Sequence, residues 1–226
     1  MGTIMIDFNE AGLIAFFSQY AYEPMYVYGF IVAFMFASSF GLPVPEELTL
    51  ISAGLVAYMA HHPELYPPPY EGAVGVNVLT LSLVCFFAVF LSDLTVYFIG
   101  KFFGTQIIKT KFFQKQVAGN GFDRINSWFT KYGPLACGIF RFTPGLRFPG
   151  HMSCGLFGIP VWKFMLVDGT AALISVPTQV YFVATYGDLI LDKIKEFKGY
   201  AIIVLGVIFL FWLLKKVYLK HVRKNA

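Results

Sequence analysis

The chain has 226 residues, of which 57% are hydrophobic and 13% are charged, and its formal net charge at pH 7 is +4. Soluble globular proteins carry roughly a quarter charged residues, so this composition excludes an ordinary water-soluble domain and predicts one integral membrane domain. The modest net charge gives no indication of nucleic-acid binding. The three cysteines have no CxxC spacing and form no Cys/His cluster, so we expect neither a metal site nor a cofactor.

Apolar runs separated by charged or broken stretches predict the membrane segments. A helix that crosses the hydrocarbon core needs about 20 apolar residues. Two runs are long enough, one is nearly so, and the remaining three are short. The runs, in chain order, are 25–40, 48–60, 78–100, 133–142, 161–186 and 199–214. We expect an all-α integral membrane protein with about three full transmembrane helices and two re-entrant hairpins, each broken by proline and glycine.

The order of these segments predicts the domain organisation. Residues 1–24 form an N-terminal segment without the basic start of a signal peptide, and it is a candidate to lie in the membrane interface. Residues 25–190 form the membrane domain, with one hairpin at 25–60 and the other at 133–160. Residues 199–226 form a C-terminal transmembrane helix and a basic tail.

The distribution of charge predicts the topology. Residues 101–132 carry six lysines and arginines against one acid, and the C-terminal tail is also basic, whereas 61–77 carries acids and no lysine or arginine. The positive-inside rule places 101–132 and the C-terminus in the cytoplasm of a multi-pass protein of the cell (inner) membrane. This assignment is consistent only if each hairpin returns to the side it came from. Two hairpin-plus-helix units of opposite orientation are typical of inverted-repeat transporters.

One amphipathic helix is predicted within the basic stretch. Ile125, Trp128, Phe129 and Tyr132 follow the spacing i, i+3, i+4 and i+7, with Asp123 as a candidate cap. A basic helix with an aromatic stripe is typical of the membrane interface. An ordinary amphipathic helix packed against the protein explains the same pattern, and both alternatives stay open.

The first hairpin break carries acidic residues. Pro43 and Pro45 remove two backbone donors, and a helix that restarts at Pro45 has Glu46 and Glu47 in its first turn. Carboxylates in that position can simply stabilise the helix dipole. Because a carboxylate at membrane depth is expensive and usually functional, we also expect proton coupling or gating from one of these acids.

The second break carries two arginines. Arg141 and Arg147 would point about 120° apart on a continuous helix, but Pro144 and Gly145 break the helix between them, so both guanidiniums can converge on one site. Broken backbone at membrane depth must be surrounded by protein or by a water-filled cavity. Arginines in such a place grip phosphate or carboxylate bidentately, so we expect them to bind a phosphate head group. The structural alternative is that the arginines snorkel to the membrane interface or pair with the acids of the first hairpin or with Asp93.

Two aspartates lie within the long apolar runs. Asp93 and Asp168 must each pair, protonate or face water, because an ionised carboxylate costs roughly 2.5–3.5 kcal/mol at the centre of a membrane helix. Asp93 is the better candidate for gating, with Tyr97 one turn further along the same face. His151 follows the second break as an accessory candidate, although a structural hydrogen bond is the favoured explanation.

Three stretches resemble motifs of the DedA family of bacterial membrane proteins, also called the VTT or SNARE-associated domain. The first is Gly41-Leu-Pro-Val-Pro-Glu-Glu-Leu, with Glu47 at the acidic position. The second runs from Asp93 through Tyr97 and Gly100 to Gly104. The third is Phe140-Arg-Phe-Thr-Pro-Gly-Leu-Arg147, followed by Gly155. The resemblance extends from about residue 25 to residue 190, and the arginine segment is its most specific part.

The resemblance implies opposed re-entrant hairpins and transport of undecaprenyl phosphate or phospholipids between leaflets, in some members with proton coupling. It also implies that Glu47, Arg141 and Arg147 are the functional residues. Ser38 stands where many members have a further glutamate, which leaves the proton coupling open and makes Glu46 a candidate substitute.

These features together predict a flippase rather than an enzyme, with no catalytic residue. Its substrate would be an anionic lipid phosphate, most favourably undecaprenyl or another polyprenyl phosphate, and a second copy of the chain is a candidate partner. An intramembrane polyprenyl-diphosphate phosphatase is one alternative, for which Thr143 and His151 could supply reactive groups. A proton-driven exporter of small molecules or ions is another alternative, but it leaves the convergent arginines without a purpose.

Overall fold

A computed structural model describes residues 18–39, 46–107, 109–110, 121–143 and 146–191. Within these ranges all regular structure is helical. The principal helices are α1 (Pro24–Ser39), α2 (Glu46–His61), α3 (Val78–Ile107), α4 (Gly121–Tyr132), α5 (Ala136–Arg141), α6 (Arg147–Leu156) and α7 (Val161–Thr185). The predicted C-terminal helix and tail, most of the N-terminal segment and the four break residues lie outside the described ranges. Those break residues are Pro43, Pro45, Pro144 and Gly145.

Helices α3 and α7 are long and apolar enough to cross a membrane. At 1.5 Å per residue, the 30 residues of α3 extend about 45 Å, which exceeds the roughly 30 Å of a hydrocarbon core. Asn77 caps α3, since its Oδ1 accepts bonds from the backbone N–H groups of Leu79 and Thr80, at 2.9 and 3.1 Å. One exposed face of α3 carries a large apolar side chain at every fourth residue, namely Leu79, Leu83, Phe87 and Leu91. This face fits contact with lipid.

The apolar core divides into two clusters on either side of the middle of α3. The first joins α1 and α2 to the N-terminal half of α3 and to the C-terminal half of α7. The second joins α4, α5 and α6 to the C-terminal half of α3 and to the N-terminal half of α7. Helix α3 therefore passes through the first cluster and then the second, whereas α7 passes through them in reverse order. The two long helices are antiparallel.

Close backbone contact between α3 and α6 depends on two glycines. A Cβ added to Gly100 would lie 1.9 Å from the carbonyl oxygen of Met152, and one added to Gly155 would lie 2.0 Å from that of Tyr97. Neither separation is possible for real atoms, so any larger residue must push the helices apart. The absence of side chains at both positions lets α6 lie directly against α3 and holds the residues at the start of α6 beside the middle of α3.

The two ends of the α1–α2 pair lie together. The backbone N–H of Val76 donates to the carbonyl oxygen of Ala21 at 2.8 Å, and the hydroxyl of Tyr22 donates to that of Tyr66 at 2.7 Å. Residues just before α1 therefore contact the connection that follows α2. The chain enters and leaves this pair at the same end of the molecule.

Helix α4 packs against the protein through its aromatic face. Ile125 is fully buried, and the rings of Trp128 and Phe129 lie 5.5 and 5.3 Å from the ring of Phe140, measured between centroids. Of the two alternatives for this amphipathic helix, the structure therefore has the one packed on the protein. The helix begins at Gly121, so Asp123 lies in its first turn rather than before it.

Candidate functional site

A cluster of charged side chains separates the two apolar cores. Asp93 lies at the midpoint of α3, and Asp168 lies on α7 between Phe164 of the second core and Ala172 of the first. Both aspartates are buried, with exposed fractions of 3% and 0%. Each aspartate lies where its helix passes from one core to the other, so both carboxylates occupy the same level of the molecule.

Arg141, the last residue of α5, links the two aspartates. Its Nε donates to Asp168 Oδ1 at 3.0 Å and its Nη2 donates to Asp168 Oδ2 at 3.2 Å, which is a bidentate pair. The same Nη2 also donates to Asp93 Oδ2. Its Nη1 lies 3.8 Å from Glu46 Oε1. The guanidinium thus lies against carboxylates from three different helices.

Arg147, the first residue of α6, reaches the cluster from the other side of the helix break. Its Nη2 donates to both carboxylate oxygens of Asp93, each at 2.8 Å, and its Nη1 pairs with Glu46 Oε2. Its side chain is 21% exposed, against 4% for that of Arg141. The structure therefore brings the two predicted arginines together, six residues apart in sequence and bonded to one shared aspartate.

Some donors of the arginines remain without acceptors among the described residues. Arg141 Nη1 and Arg147 Nε are buried atoms with no hydrogen-bond partner there. A buried N–H group of a cation favours an acceptor strongly, since a bond to a charged group contributes about 1.5–3 kcal/mol. The cluster can therefore give further hydrogen bonds to an anion, in addition to those its own carboxylates accept.

His151 lies between the two aspartates. Its Nδ1 is 3.2 Å from Asp93 Oδ1 and its Nε2 is 3.4 Å from Asp168 Oδ1, although neither contact has hydrogen-bond geometry. A neutral imidazole has one donor, whereas an imidazolium has two and can serve both carboxylates. With Glu46, the cluster holds three carboxylates and two guanidiniums. The carboxylates of the cluster therefore outnumber its guanidiniums by one.

Asp93, His151 and Asp168 also offer ligand atoms within 4.8 Å of one another, which is a spacing compatible with a cation. The guanidinium groups of Arg141 and Arg147 already bond to oxygens of these two aspartates. A metal ion would have to displace both arginines or share carboxylates with them. The two guanidiniums are therefore already the cationic partners of these carboxylates.

Glu46, and not its neighbour Glu47, joins the cluster. Adjacent residues on a helix are rotated by about 100°, so the two side chains leave α2 in different directions. Glu46 is partly buried and pairs with both arginines, whereas Glu47 is exposed and has no ion pair among the described residues. The role predicted for Glu47 stays a prediction, without support from this arrangement.

Tyr97 and Thr143 make structural contacts. The hydroxyl of Tyr97 donates to the carbonyl oxygen of Ile159 at 2.5 Å, and its ring stacks on that of Phe164 with 4.8 Å between centroids. The hydroxyl of Thr143 donates to the carbonyl oxygen of Ile139 at 3.0 Å. Tyr97 therefore joins the backbone beyond α6 to α3, and among the described residues no hydrogen bond links it to Arg141 or Arg147.

Comparison with known proteins shows which protein family the chain resembles. The family model for the VTT domain matches residues 44–185. A protein of Haemophilus influenzae named "uncharacterized membrane protein" is 31% identical over 170 residues, which cover 75% of this chain and 72% of that protein. An inner membrane protein of Borreliella burgdorferi is 24% identical, with 79% and 78% covered. Undecaprenyl phosphate transporter A of Staphylococcus aureus is 26% identical, with 55% and 63% covered. No solved structure matches the chain significantly.

Proposed function

Because this chain belongs to the VTT-domain (DedA) family of membrane proteins, we propose that it moves an anionic lipid phosphate between the two leaflets. The observation that carries the proposal is the pair Arg141 and Arg147, held among carboxylates beside the midpoint of α3 and the first third of α7, two antiparallel helices of membrane-spanning length. A polyprenyl phosphate is the favoured substrate. The printed name of the Staphylococcus aureus relative supports this class of lipid.

The direction of the short helices suits an anionic head group. Helix α2 begins at the charged cluster and runs into the first apolar core, and α6 begins at the cluster and runs into the second. Both helices therefore direct their N-terminal ends, which carry partial positive charge, towards the cluster from opposite sides. Helix N-termini that meet an anion near the membrane midplane are typical of inverted-repeat transporters.

Exchange of partners provides a route for the phosphate. In the structure, carboxylates bond to both arginines, so the arginines have partners without substrate. An arriving phosphate takes bidentate bonds from Arg141 and Arg147 and displaces Glu46. Of the three carboxylates in the cluster, that of Glu46 is the least enclosed by the protein. Return of Glu46 then competes the phosphate away on the opposite side. The displaced carboxylate of Glu46 can take up a proton during this exchange.

We further propose that α1–α2 and α5–α6 are re-entrant hairpins of opposite orientation. The contacts of Ala21 and Tyr22 with the connection after α2 support this for the first hairpin. For the second, Phe157, just after α6, packs against Phe129 of α4, just before α5, with 5.0 Å between ring centroids. The basic stretch 101–132 then lies on the cytoplasmic side of the inner membrane.

Single cysteines in a cysteine-free background test this topology. We expect Gln19→Cys and Glu71→Cys to react with a membrane-impermeant thiol reagent from outside the cell, because the first hairpin returns to its own side. We expect Lys109→Cys and Gly158→Cys to react only from the cytoplasmic side. Labelling of Gln19→Cys and Glu71→Cys from opposite sides would show that the first pair crosses the membrane.

A phosphatase would use similar arginines but also needs a nucleophile or an activated water beside them. Of the two residues that could supply one, Thr143 donates to the backbone and His151 is enclosed between Asp93 and Asp168. A translocase needs only binding and release. This difference in required groups favours transport over hydrolysis.

Liposomes that contain the purified protein distinguish the two activities. A fluorescent polyprenyl phosphate in the inner leaflet should become accessible outside, while inorganic phosphate stays at background. We expect Arg147→Ala to reduce this movement at least about tenfold, because losing a charge-assisted bond costs about 1.5–3 kcal/mol. The exposed Arg124→Ala is the matched control and should retain the movement. Phosphate release from a polyprenyl diphosphate that depends on Arg147 would establish an enzyme instead.

A further inference from the structure

An apolar groove of about 380 Å³ lies between α1 and α2. Its volume is within the range of small-molecule sites, roughly 300–1,000 Å³. Buried side chains from both helices form its floor, among them Val27, Ile31, Ala53 and Val56. The two helices pack mainly against different partners, α1 against α3 and α2 against α7. Space between α1 and α2 therefore stays open along their length.

The groove opens towards the side where lipid would lie. Phe30, Phe34 and Leu48 contribute to its lining, and each remains about half exposed, at 51%, 46% and 57%. Large apolar side chains exposed in this way are unfavourable in water but are compatible with contact to hydrocarbon. A flexible apolar chain can therefore enter from the bilayer without crossing a polar barrier.

One end of the groove adjoins the charged cluster. Glu46, Thr49 and Ala53 follow the spacing i, i+3 and i+7, so they share one face of α2. Thr49 and Ala53 line the groove, and Glu46 pairs with Arg147 at the cluster. The distance along the helix axis from Glu46 to Thr49 is about 4.5 Å. The polar site and the apolar groove are thus consecutive parts of one surface.

We propose that this groove binds the first part of the hydrocarbon chain of the lipid whose phosphate the arginines hold. The proposal rests on the proposed transport function and extends it from the head group to the chain. Charge at one end and an apolar channel beyond it match an amphiphile with a terminal phosphate. The groove then contributes affinity for long-chain lipid phosphates over soluble phosphates, and it guides the chain while the head group crosses the cluster.

Filling the groove tests the proposal. Thr49→Phe adds a ring inside the groove, and Thr178→Phe adds the same ring to an exposed position of α7. Binding of a fluorescent 55-carbon polyprenyl phosphate and of five-carbon isopentenyl phosphate is measured on each purified protein. We expect Thr49→Phe to weaken only the long-chain lipid, by about tenfold, which corresponds to two buried methylene groups. Thr178→Phe should change neither affinity.

The other outcomes separate this proposal from the proposed function. If the wild type binds the long-chain phosphate no better than the uncharged polyprenol, the head-group function itself fails. If the wild type prefers the phosphate but Thr49→Phe leaves both affinities unchanged, the head-group site stands and the groove does not hold the chain. A loss of oligomer mass in Thr49→Phe with unchanged lipid affinity would instead identify a second copy as the occupant. An equal loss of both ligands would also overturn the proposal, because it would place the damage at the head-group site.

Discussion

The two halves of the described chain repeat one plan with different chemistry. In α1–α3, the short helix α2 begins at the charged cluster with Glu46, and the long helix α3 carries Asp93. In α5–α7, the short helix α6 begins there with Arg147, and the long helix α7 carries Asp168. Each half therefore supplies one helix N-terminus and one buried aspartate, and the halves meet at the middle with opposite orientation.

What differs is the sign of charge and the closeness of packing. The second half contributes both arginines and His151, and it lies against α3 so closely that Gly100 and Gly155 have no room for a side chain. The first half contributes Glu46 and leaves an open groove between its short helices. In the proposed transport cycle, the second half would hold the cations in fixed positions, and the first would supply the exchangeable counterion and the space for the lipid chain.

The largest effect should come from removing the most enclosed cation. Arg141→Ala removes the arginine partner of Asp168 and one of the two arginine partners of Asp93. Breaking a buried ion pair costs about 3–5 kcal/mol. We expect a strongly reduced thermal unfolding midpoint in detergent and loss of transport. Arg147→Ala should lose transport with a smaller change in midpoint, because its side chain is partly exposed. Equal midpoints for the two variants would contradict the different enclosure of the two arginines.

A smaller but still substantial effect is expected where the second half touches α3. Gly155→Ala places a methyl group 2.0 Å from the carbonyl oxygen of Tyr97, so the helices must separate, at a cost of about 1–3 kcal/mol. The matched change Gly29→Ala meets nothing within 4 Å and should leave stability unchanged or slightly higher, because alanine favours a helix more than glycine does. Thermal unfolding of both variants measures the difference. A Gly155→Ala protein as stable as the wild type would show that the contact with α3 is not close.

The smallest effect should distinguish the two glutamates of the first half. Glu46→Gln removes one exchangeable counterion of the arginines. We therefore expect the transport rate to fall by about tenfold, the size of effect that loss of one charge-assisted bond produces. Glu47→Gln alters an exposed side chain and should transport at the wild-type rate. Rates measured in the same liposomes test this pair. A transport defect confined to Glu47→Gln would favour the residue that the family resemblance indicates.

Much of this arrangement was predictable from local patterns. The lengths of the apolar runs predicted α3 and α7, and the break at Pro144 and Gly145 predicted that Arg141 and Arg147 could converge. Their spacing of six residues would separate them on an unbroken helix. The cost of a charge in the membrane predicted that Asp93 would pair, protonate or face water, and in the structure it pairs with both arginines.

The remaining features depend on tertiary packing. Which of two adjacent glutamates faces the cluster depends on how α2 is rotated, and no sequence pattern around Glu46 specifies that rotation. Asp168 lies 27 residues from Arg141, and the packing of α5 on α7 brings them together. The place of His151 between two aspartates depends similarly on the close contact at Gly155.

Binding of a lipid phosphate at the paired arginines is tested most directly by native mass spectrometry of the purified protein with equal amounts of polyprenyl phosphate and polyprenol. The wild type should retain the phosphate preferentially. Arg141→Lys and Arg147→Lys should lose most of that preference, since an ammonium lacks the planar two-pronged donor geometry of a guanidinium. Arg124 is exposed, and its guanidinium lies over the ring of Trp128. The control variant Arg124→Lys should therefore keep the preference for the phosphate. An undiminished preference for the phosphate in both Arg141→Lys and Arg147→Lys would contradict bidentate recognition of the head group.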